Sequence, residues 1–96
     1  MLSYGEIEAY IKELLEKYHA EYALLFGSYA RGDADASSDI DVIVCGGDKF
    51  RARDIFSFGA DLRELSGKEA DAFELSEVNL GTSFFESIMR EGIRIG

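Results

Sequence analysis

The feature that most constrains the fold is a break between two apolar runs, Tyr22–Phe26 and Ile40–Cys45. A turn begins at Gly27, and carboxylates at Asp39 and Asp41 accompany the start of the second run. Strand side chains alternate sides, so Asp39 and Asp41 are expected on one face, opposite the apolar residues. Adjacent carboxylates raise each other's pKa unless a cation lies between them. Hard divalent cations such as Mg²⁺ prefer oxygen ligands of this kind, usually alongside substrate phosphates.

Two other interpretations of this acidic stretch compete with a metal site. Asp33, Asp35 and Ser37 have the spacing of a calcium-binding EF-hand loop. That loop needs glycine where this chain has Ser38 and glutamate where it has Val44, so the interpretation fails. A solvated acidic turn is the favoured interpretation for Asp33 and Asp35, because acidic side chains usually remain exposed. The two later carboxylates differ, since they belong to a run whose other face is apolar.

Helices alternating with short strands are predicted along the rest of the chain. Ser3 and Glu6 form a capping box before the first helix, and Ser83 and Glu86 form another before the last. Asp48 is expected to cap the middle helix. This alternation predicts an α/β sandwich. The predicted helices cover residues 3–18, 49–65 and 83–91, and the predicted strands cover residues 22–26, 40–45, 70–75 and 93–95.

Length, cysteine content and charge limit the functions open to this chain. Its 96 residues are expected to form one domain over 1–96, without a membrane span or a signal peptide. A single cysteine, Cys45, excludes an internal disulfide, so a cytoplasmic location is expected. The net charge of −9 argues against direct binding of nucleic acid, which relies on lysine and arginine. The same charge suits docking to a basic protein partner.

The central stretch resembles the signature of minimal nucleotidyltransferases, a family in the DNA polymerase β-like superfamily. That signature is Gly-Ser, ten further residues, then Asp-x-Asp, and Gly27-Ser28 precedes Asp39-Ile40-Asp41 by this spacing. The resemblance implies a small mixed β-sheet with helices packed on one side, in a polymerase β-like nucleotidyltransferase core. The longer form of the signature is also matched, at Ala30, Arg31, Gly32 and Ser38.

The resemblance also implies a reaction and a set of catalytic acids. In such a site an acceptor hydroxyl attacks the α-phosphate of a nucleoside triphosphate, and two Mg²⁺ ions, or Mn²⁺, assist. Asp39 and Asp41 are expected to hold the metals. A third acid, which completes the metal site for the attacking hydroxyl, is expected on a neighbouring strand, where Asp71 matches by order and flanking pattern. The alternative for Asp71 is an exposed acid at the start of its strand.

Three residues of the turn are expected to bind the triphosphate. Gly27 lets the backbone approach the phosphates, and Ser28 offers a hydroxyl and a backbone N–H. Arg31 is expected either to pair with the triphosphate or to form a salt bridge with Asp33 or Asp35. ATP is the nucleotide that the resemblance implies.

Family members of this size resemble the antitoxin half of HEPN–MNT toxin–antitoxin pairs. That resemblance implies transfer of AMP from ATP to a tyrosine of the HEPN toxin, an RNase, within an oligomer that contains the partner. Two alternatives remain open. One is a non-catalytic antitoxin that masks the toxin, and the other is a nucleotidyltransferase for a small-molecule acceptor. The complete signature favours the enzyme over the masking module.

Overall fold

A computed structural model of the chain describes residues 3–77 and 82–96. Within those residues, helices alternate with four short strands of one sheet, as the sequence predicts. No helix in these two ranges is long and apolar enough to cross a membrane. The elements are α1 (Tyr4–Lys17), β1 (Tyr22–Phe26), α2 (Ser28–Arg31), β2 (Ile40–Cys45), α3 (Asp54–Ser66), β3 (Ala70–Glu74), a 3-10 turn (Leu75–Glu77), α4 (Ser83–Glu91) and β4 (Ile93–Ile95).

The sheet is mixed and has the strand order β3-β2-β1-β4. β1 runs antiparallel to β2 and β4, whereas β2 and β3 run parallel. The end of β1 and the starts of β2 and β3 therefore meet at one end of the sheet. There the register places Asp41 beside Phe26 on one side and beside Asp71 on the other. β3 and β4 form the two edges.

The main core lies between one face of the sheet and the helices α1 and α3. Ile40, Val42 and Val44 point into it, as the alternation along β2 predicts. Asp41 lies between Ile40 and Val42 in sequence, so its side chain projects from the opposite face. The helices contribute Ile7, Ile11, Leu14, Leu15, Ile55, Phe58 and Leu62 to this core.

α1 begins at the predicted cap and is tied to α3 at its other end. The Ser3 hydroxyl accepts a hydrogen bond from the Glu6 N–H at 3.2 Å, and the Glu6 carboxylate accepts one from the Ser3 N–H at 3.4 Å. Lys17 Nζ lies 2.8 Å from Asp61 Oδ2, and the Tyr18 hydroxyl donates to the same oxygen. The hydrogen bond from Lys17 is the main reason that the pKa of Asp61 is lowered. These contacts connect the two helices outside the apolar core.

The start predicted for the middle helix is wrong. α3 begins at Asp54, after Arg53, and Asp48 does not cap it. The preceding segment instead forms turns that bury Phe50 against Gly46, where an added Cβ would lie 2.5 Å from the Phe50 ring. Burial of the Phe50 side chain thus outweighs the helix propensity of residues 49–53.

The cap predicted for the last helix is wrong by one residue. Thr82, not Ser83, is the N-cap of α4, and its Oγ1 accepts a hydrogen bond from the Phe85 N–H at 3.2 Å. The predicted bounds of α4 and of the edge strand β4 are confirmed. The short β4 pairs with β1 and completes the sheet.

Candidate active site

Three carboxylates approach one another where β2 and β3 begin. Asp41 pairs in register with Asp71 across the two parallel strands, so both side chains lie on the same face. Asp39 lies one residue before β2, not within it. Pairing between β2 and β3 begins at Ile40, whose N–H donates to the Glu69 carbonyl at 3.0 Å. Both Asp39 and Asp71 act electrostatically on Asp41. The structure thus brings the three predicted acids to one place.

The environment of Asp41 raises the pKa of its carboxyl group. Partial burial is the largest cause, followed by the negative charges of Asp71 and then Asp39. The nearby Arg31 guanidinium acts in the opposite direction but does not cancel them. Repulsion among carboxylates is relieved when a cation binds between them. The charge distribution therefore favours a cation at Asp41.

The acids have the donor chemistry of a magnesium site without forming a closed set of ligands. Among residues 3–77 and 82–96, no group of three or more Asp, Glu, His or Cys side chains is arranged to hold a metal ion. Mg²⁺ often binds through one or two carboxylates and completes its shell with waters and substrate phosphates. Asp39 and Asp41 fit a metal that arrives with a nucleotide better than a metal held by protein alone.

Gly27 brings the turn after β1 close to Asp41. Its backbone has φ 77° and ψ −153°, a region that is essentially restricted to glycine. A Cβ at this position would lie 2.7 Å from Asp41 Oδ2. The signature glycine therefore allows close contact with the carboxylate, a role that the sequence alone did not reveal.

A pocket of about 520 Å³ lies against this turn, within the range of about 300–1,000 Å³ typical of small-molecule sites. Gly27, Ser28 and Arg31 line it together with Asp41, so the predicted phosphate-binding residues share one cavity with a predicted metal ligand. The sequence did not predict the contribution of α4, whose apolar pattern indicates only that one face is buried. The remaining lining residues are Phe26, Ser87, Ile88 and Glu91.

Arg31 lies at this pocket between two carboxylates. Its Nε is 3.4 Å from Asp33 Oδ2, and its Nη1 is 3.7 Å from Glu91 Oε2. The pair with Asp33 is one of the two arrangements expected from the sequence, whereas the pair with Glu91 was not foreseen. Exposed ion pairs of this kind contribute little stability. Both carboxylates can therefore be exchanged for phosphate oxygens, which a guanidinium binds in a similar fork geometry.

Asp35 organises the loop between the turn and β2. Its Oδ1 accepts hydrogen bonds from the Ser37 N–H at 2.9 Å and from the Ser37 hydroxyl at 2.7 Å. The hydroxyl bond is the main reason that the pKa of Asp35 is lowered. Lys68 donates to the Ala36 carbonyl at 3.0 Å and fastens the loop to the start of β3. Asp35 thus stabilises an exposed turn. The sequence favoured this interpretation over a calcium-binding loop.

Tyr29, inside the signature, packs in the main core rather than at the pocket. It is 6% exposed, and Lys68 Nζ lies 5.8 Å from the centre of its ring. In the described part of the chain, its hydroxyl is the buried side-chain polar group without a hydrogen-bond partner. Tyr29 therefore anchors the turn by apolar burial.

A match to a protein-family model covers the whole of this site. The model described as "Polymerase beta, Nucleotidyltransferase" matches residues 9–96. The chain belongs to this family. The resemblance seen in the Gly-Ser and Asp-x-Asp signature is confirmed, and the pocket and acids described above lie inside the matched region of this nucleotidyltransferase.

Similar proteins agree with this membership. A Methanocaldococcus jannaschii protein named as a candidate protein adenylyltransferase is 32% identical to this nucleotidyltransferase over 78 residues, 81% of this chain and 84% of that protein. One chain of a crystal structure of a toxin–antitoxin with AMP-PNP superposes with a TM-score of 0.79 at 22% identity, covering 93% of this chain and 72% of that one.

A second solved structure has the same fold. It contains a tri-AMPylated Shewanella oneidensis HEPN toxin in complex with an MNT antitoxin. One of its chains superposes with a TM-score of 0.71 at 20% identity and covers 94% of this chain and 69% of that one. These likenesses confirm the predicted polymerase β-like fold with its small mixed sheet.

Proposed function

We propose that this nucleotidyltransferase transfers AMP from ATP to a tyrosine of a HEPN-type toxin and thereby neutralises it. The observation that carries the proposal is the pocket in which the Gly-Ser turn adjoins Asp41, with Asp39 and Asp71 beside it. The name of the archaeal relative and the toxin–antitoxin content of the structural neighbours support the choice of reaction and partner.

The triphosphate would lie at the turn. Gly27 and Ser28 line this pocket and would offer it backbone N–H and hydroxyl groups, and Arg31 adds a positive charge at its side. Asp39 and Asp41 would hold Mg²⁺ or Mn²⁺ against the phosphates. When bound, such ions stabilise negative charge that develops on the attacking and leaving oxygens. Binding of the metal would also relieve the repulsion by Asp71 and Asp39 that adds to partial burial in raising the pKa of Asp41.

Asp71 would serve the acceptor. It lies beside Asp41 in the register but does not line the nucleotide pocket, and its side chain is exposed to an incoming molecule. In the proposed step, Asp71 orients the acceptor hydroxyl and takes its proton. The hydroxyl oxygen forms a bond to the α-phosphorus, the bond from that phosphorus to the bridging oxygen breaks, and pyrophosphate leaves.

A protein acceptor agrees with the surface charge of this chain. The net charge of −9 opposes nucleic acid phosphates and favours encounter with a basic protein. A partner that presents its own hydroxyl would also supply the orientation on which such transfers depend. The masking module and the small-molecule acceptor are the outcomes against which the proposal is tested.

The test compares ATP labelled at the α-phosphate with ATP labelled at the γ-phosphate. Incubation with the HEPN toxin and Mg²⁺ is expected to place the α label on the toxin and leave the γ label in pyrophosphate. A chelator, or the combined substitutions Asp39→Asn and Asp41→Asn, should abolish labelling. Label from the γ-phosphate would indicate phosphoryl transfer, and no label on the toxin would favour masking or another acceptor.

A further inference from the structure

Two exposed aromatic side chains flank a groove next to Asp71. Phe56 of α3 is 78% exposed and Phe73 of β3 is 41% exposed, and both line a cavity of about 170 Å³. The cavity follows β3, an edge strand of the described sheet. Exposed large apolar side chains that lie together commonly mark an interaction site. We define the aromatic groove by Phe56, Phe73 and Asp71.

The aromatic groove is built on regular elements rather than on loops. α3 forms one wall and β3 the other. The two are closely packed at Gly59, where a Cβ would be in van der Waals contact with the Ala72 Cβ, at 3.5 Å. Arg63 donates from Nη1 to the Ala70 carbonyl at 2.7 Å and so fixes the helix to the start of the strand. A groove held in this way can position a bound segment.

The position of the aromatic groove relative to the nucleotide pocket is its most informative property. Asp71 lines the groove, and its register partner Asp41 lines the pocket. The two cavities therefore lie on either side of this pair of residues. A reaction that joins two substrates at these acids requires one substrate on each side of them.

We propose that the aromatic groove docks the segment of the acceptor protein that carries the modified tyrosine. This inference rests on the proposed function and names the surface that selects its acceptor. Phe73 shares a strand face with Asp71, so it offers an aromatic contact to a tyrosine ring whose hydroxyl reaches that carboxylate. Phe56, on the helix that packs against the other face of β3, contacts a neighbouring residue of the docked segment. The net charge of −9 favours a segment with lysine or arginine around that tyrosine.

Two other occupants are distinguishable. Exposed aromatic side chains also stack on single-stranded nucleic acid, but this chain lacks the positive charge that such binding requires. A second copy of the chain would bring two strongly negative molecules together, which like-charge repulsion disfavours. Both occupants are included as outcomes below.

The experiment measures steady-state AMP transfer to the HEPN toxin by variants with matched controls. Phe56→Ser and Phe73→Ser are compared with Met89→Ser and Leu65→Ser, whose side chains are 57% and 39% exposed outside the groove. Each groove variant is expected to raise the KM for toxin about tenfold, as loss of a central aromatic contact does, with the KM for ATP unchanged. The control variants should behave as the parent chain does.

A second measurement does not require the chain to fold with serine in place of Phe56 or Phe73. A photoreactive phenylalanine analogue placed at Phe56 should crosslink to the tyrosine-bearing peptide of the toxin, whereas the analogue at Met89 should not. Because both side chains are largely exposed, neither replacement disturbs the core.

The outcomes separate this inference from the proposed function. If the parent chain labels the toxin while the groove variants keep the parent KM and the analogue crosslinks elsewhere, the groove assignment is overturned and the function stands. If the parent chain labels no toxin, both are overturned. Single-stranded oligonucleotide binding, or a dimer in sedimentation, that is lost in Phe56→Ser would assign the groove to those occupants and also overturn the inference.

Discussion

Replacement of Gly27 by alanine tests how the turn and Asp41 fit together. Two penalties act at this position. The backbone conformation is strained for any other residue by about 1–3 kcal/mol. The new Cβ also lies 2.7 Å from Asp41 Oδ2, so the carboxylate must move. Together they predict a loss of about 2–3 kcal/mol, equivalent to a fall in Tm of roughly 8–24 °C for a domain of this size.

Gly32 provides a matched control for this substitution. It also has a positive φ, 82°, but a Cβ there would meet nothing within 4 Å. Gly32→Ala should therefore cost only the left-handed backbone penalty of about 1 kcal/mol, or roughly 4–8 °C. Thermal unfolding in metal-free buffer measures both variants. Calorimetry should show that Gly27→Ala has lost metal-dependent ATP binding and that Gly32→Ala has kept it.

A double-mutant cycle isolates the contact itself. In an Asp41→Ala background the carboxylate is absent, so Gly27→Ala should cost less than in the parent chain and keep only its backbone penalty of about 1–3 kcal/mol. Equal costs for Gly27→Ala in both backgrounds, or a cost no greater than that of Gly32→Ala in the parent chain, would refute the role assigned to Gly27.

Three further substitutions test neighbouring parts of the account. Asp41→Asn should raise Tm in metal-free buffer at neutral pH. The pKa of the Asp41 carboxyl is raised in the folded state, so the ionised carboxylate destabilises the fold, and asparagine removes that charge. The gain in Tm should vanish as the pH falls through the raised pKa, because the parent carboxyl is then protonated. Tyr29→Phe removes a buried hydroxyl without a partner and should stabilise the fold by about 1 kcal/mol; a lower Tm would show that the hydroxyl is satisfied, for example by water. Asp71→Asn should reduce the rate of AMP transfer by about 10²–10⁴-fold with ATP affinity preserved, and near-normal turnover would remove Asp71 from the reaction.

The sequence predicted the elements at the centre of the site because their signals are local. Alternation along residues 40–45 was enough to place Ile40 and Val42 in the core and Asp41 on the other face. The third acid, Asp71, followed from its resemblance to the family pattern, and the parallel pairing of β2 and β3 brings it beside Asp41.

The features that the sequence did not predict depend on tertiary contacts. α3 begins later than its periodicity suggests because Phe50 is buried against Gly46, a contact between residues outside any regular element. Glu91 reaches Arg31 only because α4 returns to the turn. The aromatic groove requires Phe56 and Phe73 to line the same sheet edge, and strand order is not visible in either segment alone.

The most direct test of the central claim is the intact mass of the HEPN toxin after incubation with this chain, ATP and Mg²⁺, followed by removal of the chain. If this chain transfers AMP, the toxin should gain the mass of one or more adenylyl groups, located on tyrosine, and its RNase activity should stay low after separation. The Asp39→Asn and Asp41→Asn double variant should leave the mass unchanged. An unmodified toxin that regains full RNase activity on separation, or a double variant that neutralises as well as the parent chain, would contradict the account.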